Sequence, residues 1–306
     1  MNEDIKSAVA VLTEHAKEII AGSYKNVDRI FRLTDHTKNS PEITELAETF
    51  GMMSVKVEAR EYALEQTIEE LKEKKAHVEH LSLIRSQFAS IFINVVLLLT
   101  FYTFVLGILD MGFFTRLAHA ELIRNIISRT IEIAALLIVF RMIRVSRLPL
   151  RDFGLTLRGW KRSVKESVSI SAVVIGLLVL AKVLANKYSP GTFRESQIFD
   201  LNYFSLSYIT YIVVAPLQEF IARGTAQSTL ERLFIGKNKG FLAIVVTSFL
   251  FGSLHVYSSF HLAIAAVLTG WLWGWMYNRQ KSLVGVGLSH FLIGNAAGLM
   301  GYWTFF

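Results

Sequence analysis

The chain has 306 residues, 52% of them hydrophobic, a mean hydropathy of +0.42, a formal net charge of +7 and no cysteine. The absence of thiols excludes disulfides, a cysteine nucleophile and any thiolate metal site. The basic residues gather at the ends of apolar runs, as topology signals do, and this argues against a nucleic-acid partner.

Residues 1–85 are rich in Glu and Lys and read as a charged helical region. Glu3, Asp4, Lys6, Glu14, Lys17 and Glu18 interrupt the start of the chain, so no cleavable signal peptide is expected. Asp35 to Pro41 reads as a polar break between two helices. The second helix is expected from about Glu42 through Val78 and on into the first apolar run. Ile43, Leu46, Phe50, Met53 and Val57 recur at three- and four-residue spacing, the seam of a coiled coil. The segment from Glu42 to Met53 resembles the second helix of a HAMP signal-relay module, and Ala16 to Gly22 resembles the end of that module's first helix. The resemblance implies a parallel four-helix bundle, and hence a homodimer formed through these helices.

From Ser86 onward, apolar runs of membrane-crossing length recur; a span needs about 20 such residues. The expected fold is all-α: a polytopic membrane bundle of about seven helices over residues 86–306, following the cytoplasmic region 1–85. The spans fall near 86–109, 122–142, 166–186, 203–233, 240–257, 260–277 and 282–303. Arg144, Arg147, Arg151, Arg158, Lys161, Arg162 and Lys165 crowd one loop. Lys237 and Lys239, Arg279 and Lys281, and Lys72, Lys74, Lys75 and Arg85 fall on the same side if there are seven spans. The positive-inside rule makes that side the cytoplasm and puts the N-terminus there, in a membrane most simply that of a prokaryotic cell. Leu148-Pro149-Leu150, followed by Phe153, Leu155, Leu157 and Trp160, reads as an interfacial amphipathic segment.

Three of these spans carry side chains that a bilayer does not tolerate without reason. An acid or base at mid-membrane costs about 2.5–3.5 kcal/mol on insertion scales. The fourth span holds Gln218, Glu219 and Arg223, the fifth Phe251 and His255, and the seventh His290 and Asn295. At the helical rise, Gln218, His255 and Asn295 lie roughly 20–22 Å from the basic ends of their spans and His290 roughly 12 Å. Polar groups from three helices thus fall in or near one layer, which is how a buried site is assembled in a bundle. The plainer readings are an i,i+4 ion pair between Glu219 and Arg223 that fastens one helix, and core histidines satisfied by backbone carbonyls. Phe251 and Trp271, Trp273 and Trp275 read as packing and interfacial anchors, and His77, His80 and His261 receive no role.

Taken in order, the three segments resemble the motifs of the CAAX protease and bacteriocin-processing (CPBP, or Abi) family of glutamic intramembrane proteases, which includes the Ras-converting CAAX endopeptidases. The family pattern is Glu-Glu-x-x-x-Arg, then Phe-x-x-x-His, then His-x-x-x-Asn or Asp, and the likeness covers roughly residues 145–303, including Phe153-Gly154-Leu155. It implies an intramembrane endopeptidase acting on a peptide or membrane protein within membrane lipid. A carboxylate at 218 and His255 would activate water, His290 and Asn295 would stabilise the oxyanion, and Glu219 and Arg223 would orient the site. No cofactor is expected. The lesser alternative is zinc held by His255, His290 and an acid, and no His-Glu-x-x-His accompanies it.

Two positions depart from the pattern. Gln218 stands where the family has its first glutamate, and an amide cannot serve as general base. Gly294 stands four residues after His290, so Asn295 is one position late, about 100° further round the helix. Because Gln is a near-isostere of Glu and the other motif residues are present, the chain reads as a protease disabled at one group, whose active counterpart carries Glu at 218. A pseudoprotease acting as membrane receptor or scaffold is the alternative. A small-solute transporter fits less well, since no inverted repeat is evident.

Overall fold

The computed structural model describes residues 3–24, 27–109, 111, 119–193, 197–204, 206–256 and 259–305. It is helical throughout, with no strand among the described residues. The helices are α1 (Glu3–Ile20), α2 (Val27–Phe31), α3 (Pro41–Leu109), α4 (Ala120–Val145), α5 (Trp160–Tyr188) and α6 (Leu206–Glu219). A π-helical stretch, Phe220–Gln227, leads into α7 (Ser228–Leu233), followed by α8 (Lys239–Ser253), α9 (Phe260–Gln280), α10 (Leu283–Leu299) and α11 (Tyr302–Phe305). The chain divides into two compact units, Met1–Ser82 and Leu83–Phe306, and the division falls inside α3.

In the first unit, α1 ends where Gly22 adopts a left-handed φ of 73°. The polar break at Asp35 is a turn in which Asp35 Oδ1 accepts from the Thr37 N–H at 3.0 Å and its hydroxyl at 2.6 Å. Pro41, whose fixed φ suits a first helical position, then opens α3. Leu12, Ile30 and Ala47 form the buried core, with Leu33 and Phe50 packed against it. The seam expected through this helix therefore divides. Ile43 is buried and Phe50 half-buried, whereas Leu46 and Met53 are 50% and 46% exposed. The inner face of α3 runs instead through Ile43, Ala47 and Ser54, where small residues admit the neighbouring helices.

In the second unit, helices occupy each of the seven regions read as spans. Two of them, Pro41–Leu109 and Trp160–Tyr188, are long and apolar enough to cross a membrane, and α8 and α10 are apolar but shorter. The apolar windows of both long helices are only 11% buried within the chain. A soluble core helix would be mostly buried, so these faces are suited to lipid. Helix α10 packs against α5 and α6, and α8 against α9. Small polar residues line the α5 contacts: the Ser171 and Ser289 hydroxyls lie 2.9 Å apart between α5 and α10, and Ser163 donates to Gln280 at the end of α9 at 2.6 Å. Small residues of this kind let membrane helices approach closely.

Two sequence expectations change here. The fourth apolar run is not one α-helix. Pro216 removes a backbone donor from α6, and beyond Glu219 the bonding widens to i→i+5, as in Ser228 N–H to the Arg223 carbonyl. The segment 148–160 does not simply lie on a surface either. Leu150–Phe153 is a short 3-10 turn that inserts Phe153 fully into the core, while Leu157 and Trp160 stay exposed. Gly154 follows with φ 74°, and a Cβ there would fall 2.6 Å from the Tyr277 ring.

Candidate active site

Glu219 is fully buried at the junction of α6 and the π stretch. Its Oε2 accepts from Arg223 Nε at 3.2 Å and its Oε1 from His290 Nδ1 at 2.8 Å. Arg223, also fully buried, donates to the Thr247 hydroxyl at 3.1 Å and to Gln227 Oε1 at 3.4 Å, and Gln227 Nε2 donates to the Gly274 carbonyl at 2.9 Å. The guanidinium reaches this depth because α9 offers glycine there. A Cβ on Gly270 or Gly274 would come within 3.2 Å of an Arg223 nitrogen. The pair expected from the sequence is thus the centre of a network joining the π stretch, α8, α9 and α10.

The network fixes the histidine. A carboxylate paired with Arg223 is acceptor-only, so Nδ1 of His290 carries hydrogen and Nε2 is the nitrogen that faces Tyr211. The His290 ring stacks on Trp273 with centroids 3.9 Å apart. Across from it, His255 Nδ1 donates to the Phe251 carbonyl at 2.8 Å. Because a carbonyl can only accept, the basic nitrogen of His255 is Nε2.

Gln218, His255 and His290, from three helices, line one cavity of about 490 Å³. Phe251, Leu262, Trp273, Ile293 and Trp303 give it apolar walls. Glu219 and Arg223 do not line it; they stand behind His290. Asn295 is not brought to it. The step of one residue past the motif position turns its amide towards α6, where Nδ2 donates to the Tyr208 carbonyl at 3.1 Å. Position 294, being glycine, is filled by a neighbour: a Cβ there would lie 2.6 Å from the Tyr211 ring.

Residues 200–295 match the Rce1-like family model, described as type II CAAX prenyl endopeptidase. All six sequence-predicted site residues lie inside the match. No curated protein and no solved structure matches the chain. The match supports a protease of the CAAX type, and together with the apolar helices it indicates an integral membrane protein.

The donor set does not suit zinc. Both nitrogens of His290 are engaged, Nδ1 by Glu219 and Nε2 by the Tyr211 hydroxyl at 2.8 Å. His255 has one nitrogen on a backbone carbonyl. Among the described residues no three His, Cys, Asp or Glu side chains converge as ligands.

Three contributors escaped the sequence reading: Gln227, Thr247 and Tyr211. Only Tyr211 left a usable signal. It precedes Gln218 by seven residues, two helical turns, and so shares its face.

Proposed function

We propose that the chain is an intramembrane endopeptidase of the CAAX type whose hydrolytic site is the cavity shared by Gln218, His255 and His290. The observation that carries this is the convergence of those three side chains, from α6, the turn just after α8, and α10, on one apolar-walled cavity. A peptide segment within the membrane would enter it, and a water held between position 218 and His255 Nε2 would attack the scissile carbonyl. His255, anchored through Nδ1, is a neutral base; Gln218 can hold a water but cannot take its proton. Hydrolysis by the chain as it stands is therefore slow.

Gln218→Glu supplies a carboxylate. General-base assistance is worth about 10²–10⁴-fold, and cleavage should rise by that order. Adding His255→Ala should abolish the gain, and chelators should not. The assay uses an internally quenched peptide ending in a prenylated cysteine and three further residues, with mass spectrometry of expressing membranes for newly formed termini. Equal rates in the chain, Gln218→Glu and the double variant would sink the hydrolytic reading in favour of a receptor or scaffold. Loss of the restored activity on chelation would move the mechanism to zinc.

For the N-terminal unit we propose a regulatory role through a homodimer, HAMP-like in arrangement and cytoplasmic. Exposed Leu46 and Met53, seven residues apart on one face of α3, support it.

A further inference from the structure

The hydrolytic scheme above gives no part to Tyr211. Tyr211 lines the same cavity as Gln218, His255 and His290. Its hydroxyl is 2.8 Å from His290 Nε2, and its ring meets the His290 ring edge-on at 88° with centroids 5.6 Å apart. Trp303 closes the other side at 5.9 Å, and α10 has glycine at 294, where any Cβ would strike the ring. The phenol is thus held from three directions with its oxygen at Nε2 of His290, the end of the ring away from Glu219.

The direction of the hydrogen bonds decides what this residue can do. Arg223 keeps Glu219 an acceptor, Glu219 takes the Nδ1 hydrogen of His290, and the other nitrogen, Nε2, is taken up by the Tyr211 hydroxyl, so His290 has no N–H to offer the cavity. It cannot itself donate to an oxyanion. The group that has a hydrogen to give is the Tyr211 phenol. In the resting state it donates to Nε2. If Nε2 carries a proton, that N–H donates to the phenolic oxygen, and the O–H turns outward with no buried nitrogen left unpaired.

The geometry points to Tyr211 as a catalytic residue of this site, the hydrogen-bond donor to the scissile carbonyl oxygen, with His290 and Glu219 as its positioning residues. This rests on the hydrolytic reading of the cavity. In the attack step the water oxygen bonds to the carbonyl carbon, its proton passes to the base, and the carbonyl π pair moves to oxygen. Tyr211 donates to that oxyanion and keeps its proton. When the carbon–nitrogen bond breaks, the leaving amine takes the proton back from the base.

The test is Tyr211→Phe in the full-length Gln218→Glu form, which keeps the ring against Gly294 and Trp303 and removes only the hydroxyl. Loss of one preorganised oxyanion donor costs about 10²–10³-fold in kcat. We expect that loss on the prenylated quenched peptide, with KM changed less than about twofold, because the interaction is made in the transition state and not in the ground state. Retained kcat in a variant that still melts cooperatively overturns the assignment while leaving the hydrolytic reading intact. A rise in KM with kcat unchanged also overturns it, since Tyr211 would then only pack against substrate. If Gln218→Glu itself gains nothing, the hydrolytic reading falls and the assignment falls with it. Should the Phe variant not fold, fluorotyrosine at 211 keeps the shape and strengthens the donor; kcat must then rise, and an unchanged kcat overturns the proposal.

Discussion

Glu219 and Arg223 show why a buried ion pair in this chain must be judged by what surrounds it. Both are fully buried, and a pair this deep repays its desolvation only if the remaining hydrogen-bonding capacity is met. His290 meets part of it on one side and Thr247 and Gln227 part on the other, while Arg223 Nη2 is buried with no hydrogen-bond partner among the described residues. Arg223→Leu should therefore destabilise by about 3–5 kcal/mol, the usual consequence of leaving one buried charge uncompensated. The double variant Glu219→Leu/Arg223→Leu should unfold at a higher temperature than the single, because no charge is left behind. Thermal melts of the detergent-solubilised chain measure both; a double variant no more stable than Arg223→Leu would argue that the pair is not electrostatically coupled. Activity of the Gln218→Glu form should not return in the double variant, because His290 Nδ1 then lacks its acceptor. Gln218, Glu219, Arg223, His255 and His290 could be read from the sequence because their types and spacing are unusual within apolar runs. Asn295 was placed in the site and does not reach it, and Tyr211 was not singled out. The facing of Asn295 depends on the Tyr208 carbonyl, and that of Tyr211 on a missing side chain at Gly294.

At the scale of elements, the π stretch Phe220–Gln227 is the feature that spacing alone does not reveal. Its residues alternate in hydropathy much as an α-helix would, and the i→i+5 pattern is set by neighbours. The Phe153 carbonyl lies where a Cβ on Gly224 would come within 2.7 Å, so the backbone of this stretch is pressed against the turn at 150–153. π segments of this kind occur often at functional sites. Of the helix limits, the polar break from Asp35 to Pro41 was legible, whereas the fifth apolar run, read as 240–257, ends as a helix at Ser253. Helix α3 is where pattern and packing part. The sequence seam treats Ile43, Leu46, Phe50 and Met53 as one face, whereas the unit's own core takes Ile43, Ala47 and part of Phe50. Leu46 and Met53 are left exposed. Cysteine at Met53 should trap disulfide-linked dimers in membranes under mild oxidation, since the chain has no other thiol. A folded protein that stays monomeric in that experiment would remove the relay reading of the N-terminal unit.

For the molecule as a membrane protein, the charge distribution makes the sharpest claim. The loop between α4 and α5 carries Arg147, Arg151 and Arg158, and the first turn of α5 adds Lys161 and Arg162. Carrying such a loop across a bilayer is strongly disfavoured, whereas the stretch around Pro190 and Gly191 after α5 is weakly charged. With Leu83–Leu109, α4 and α5 each taken as crossing, the loop at 146–159 is cytoplasmic, the N-terminus shares that side, and Gly191 faces outside. The next crossing, from α6 through α7, returns the chain to the cytoplasm at Lys237. Helices α8 and α10 are shorter than an ordinary span, with 15 and 17 residues. In the seven-span arrangement they cross only with help from the flanking residues or local thinning of the bilayer. The same arrangement makes position 218, late on α6, and His255, just beyond α8, similarly distant from the cytoplasmic face, consistent with the cavity they share. Reporter fusions decide the matter: an enzyme active only outside should work at Gly191 and fail at Lys237, and a cytoplasmic reporter should do the opposite. The reverse pattern would invert the N-terminus and put the basic loop outside. A cytoplasmic signal at both sites would mean that α6 to α7 does not cross, and the seven-span topology would fall.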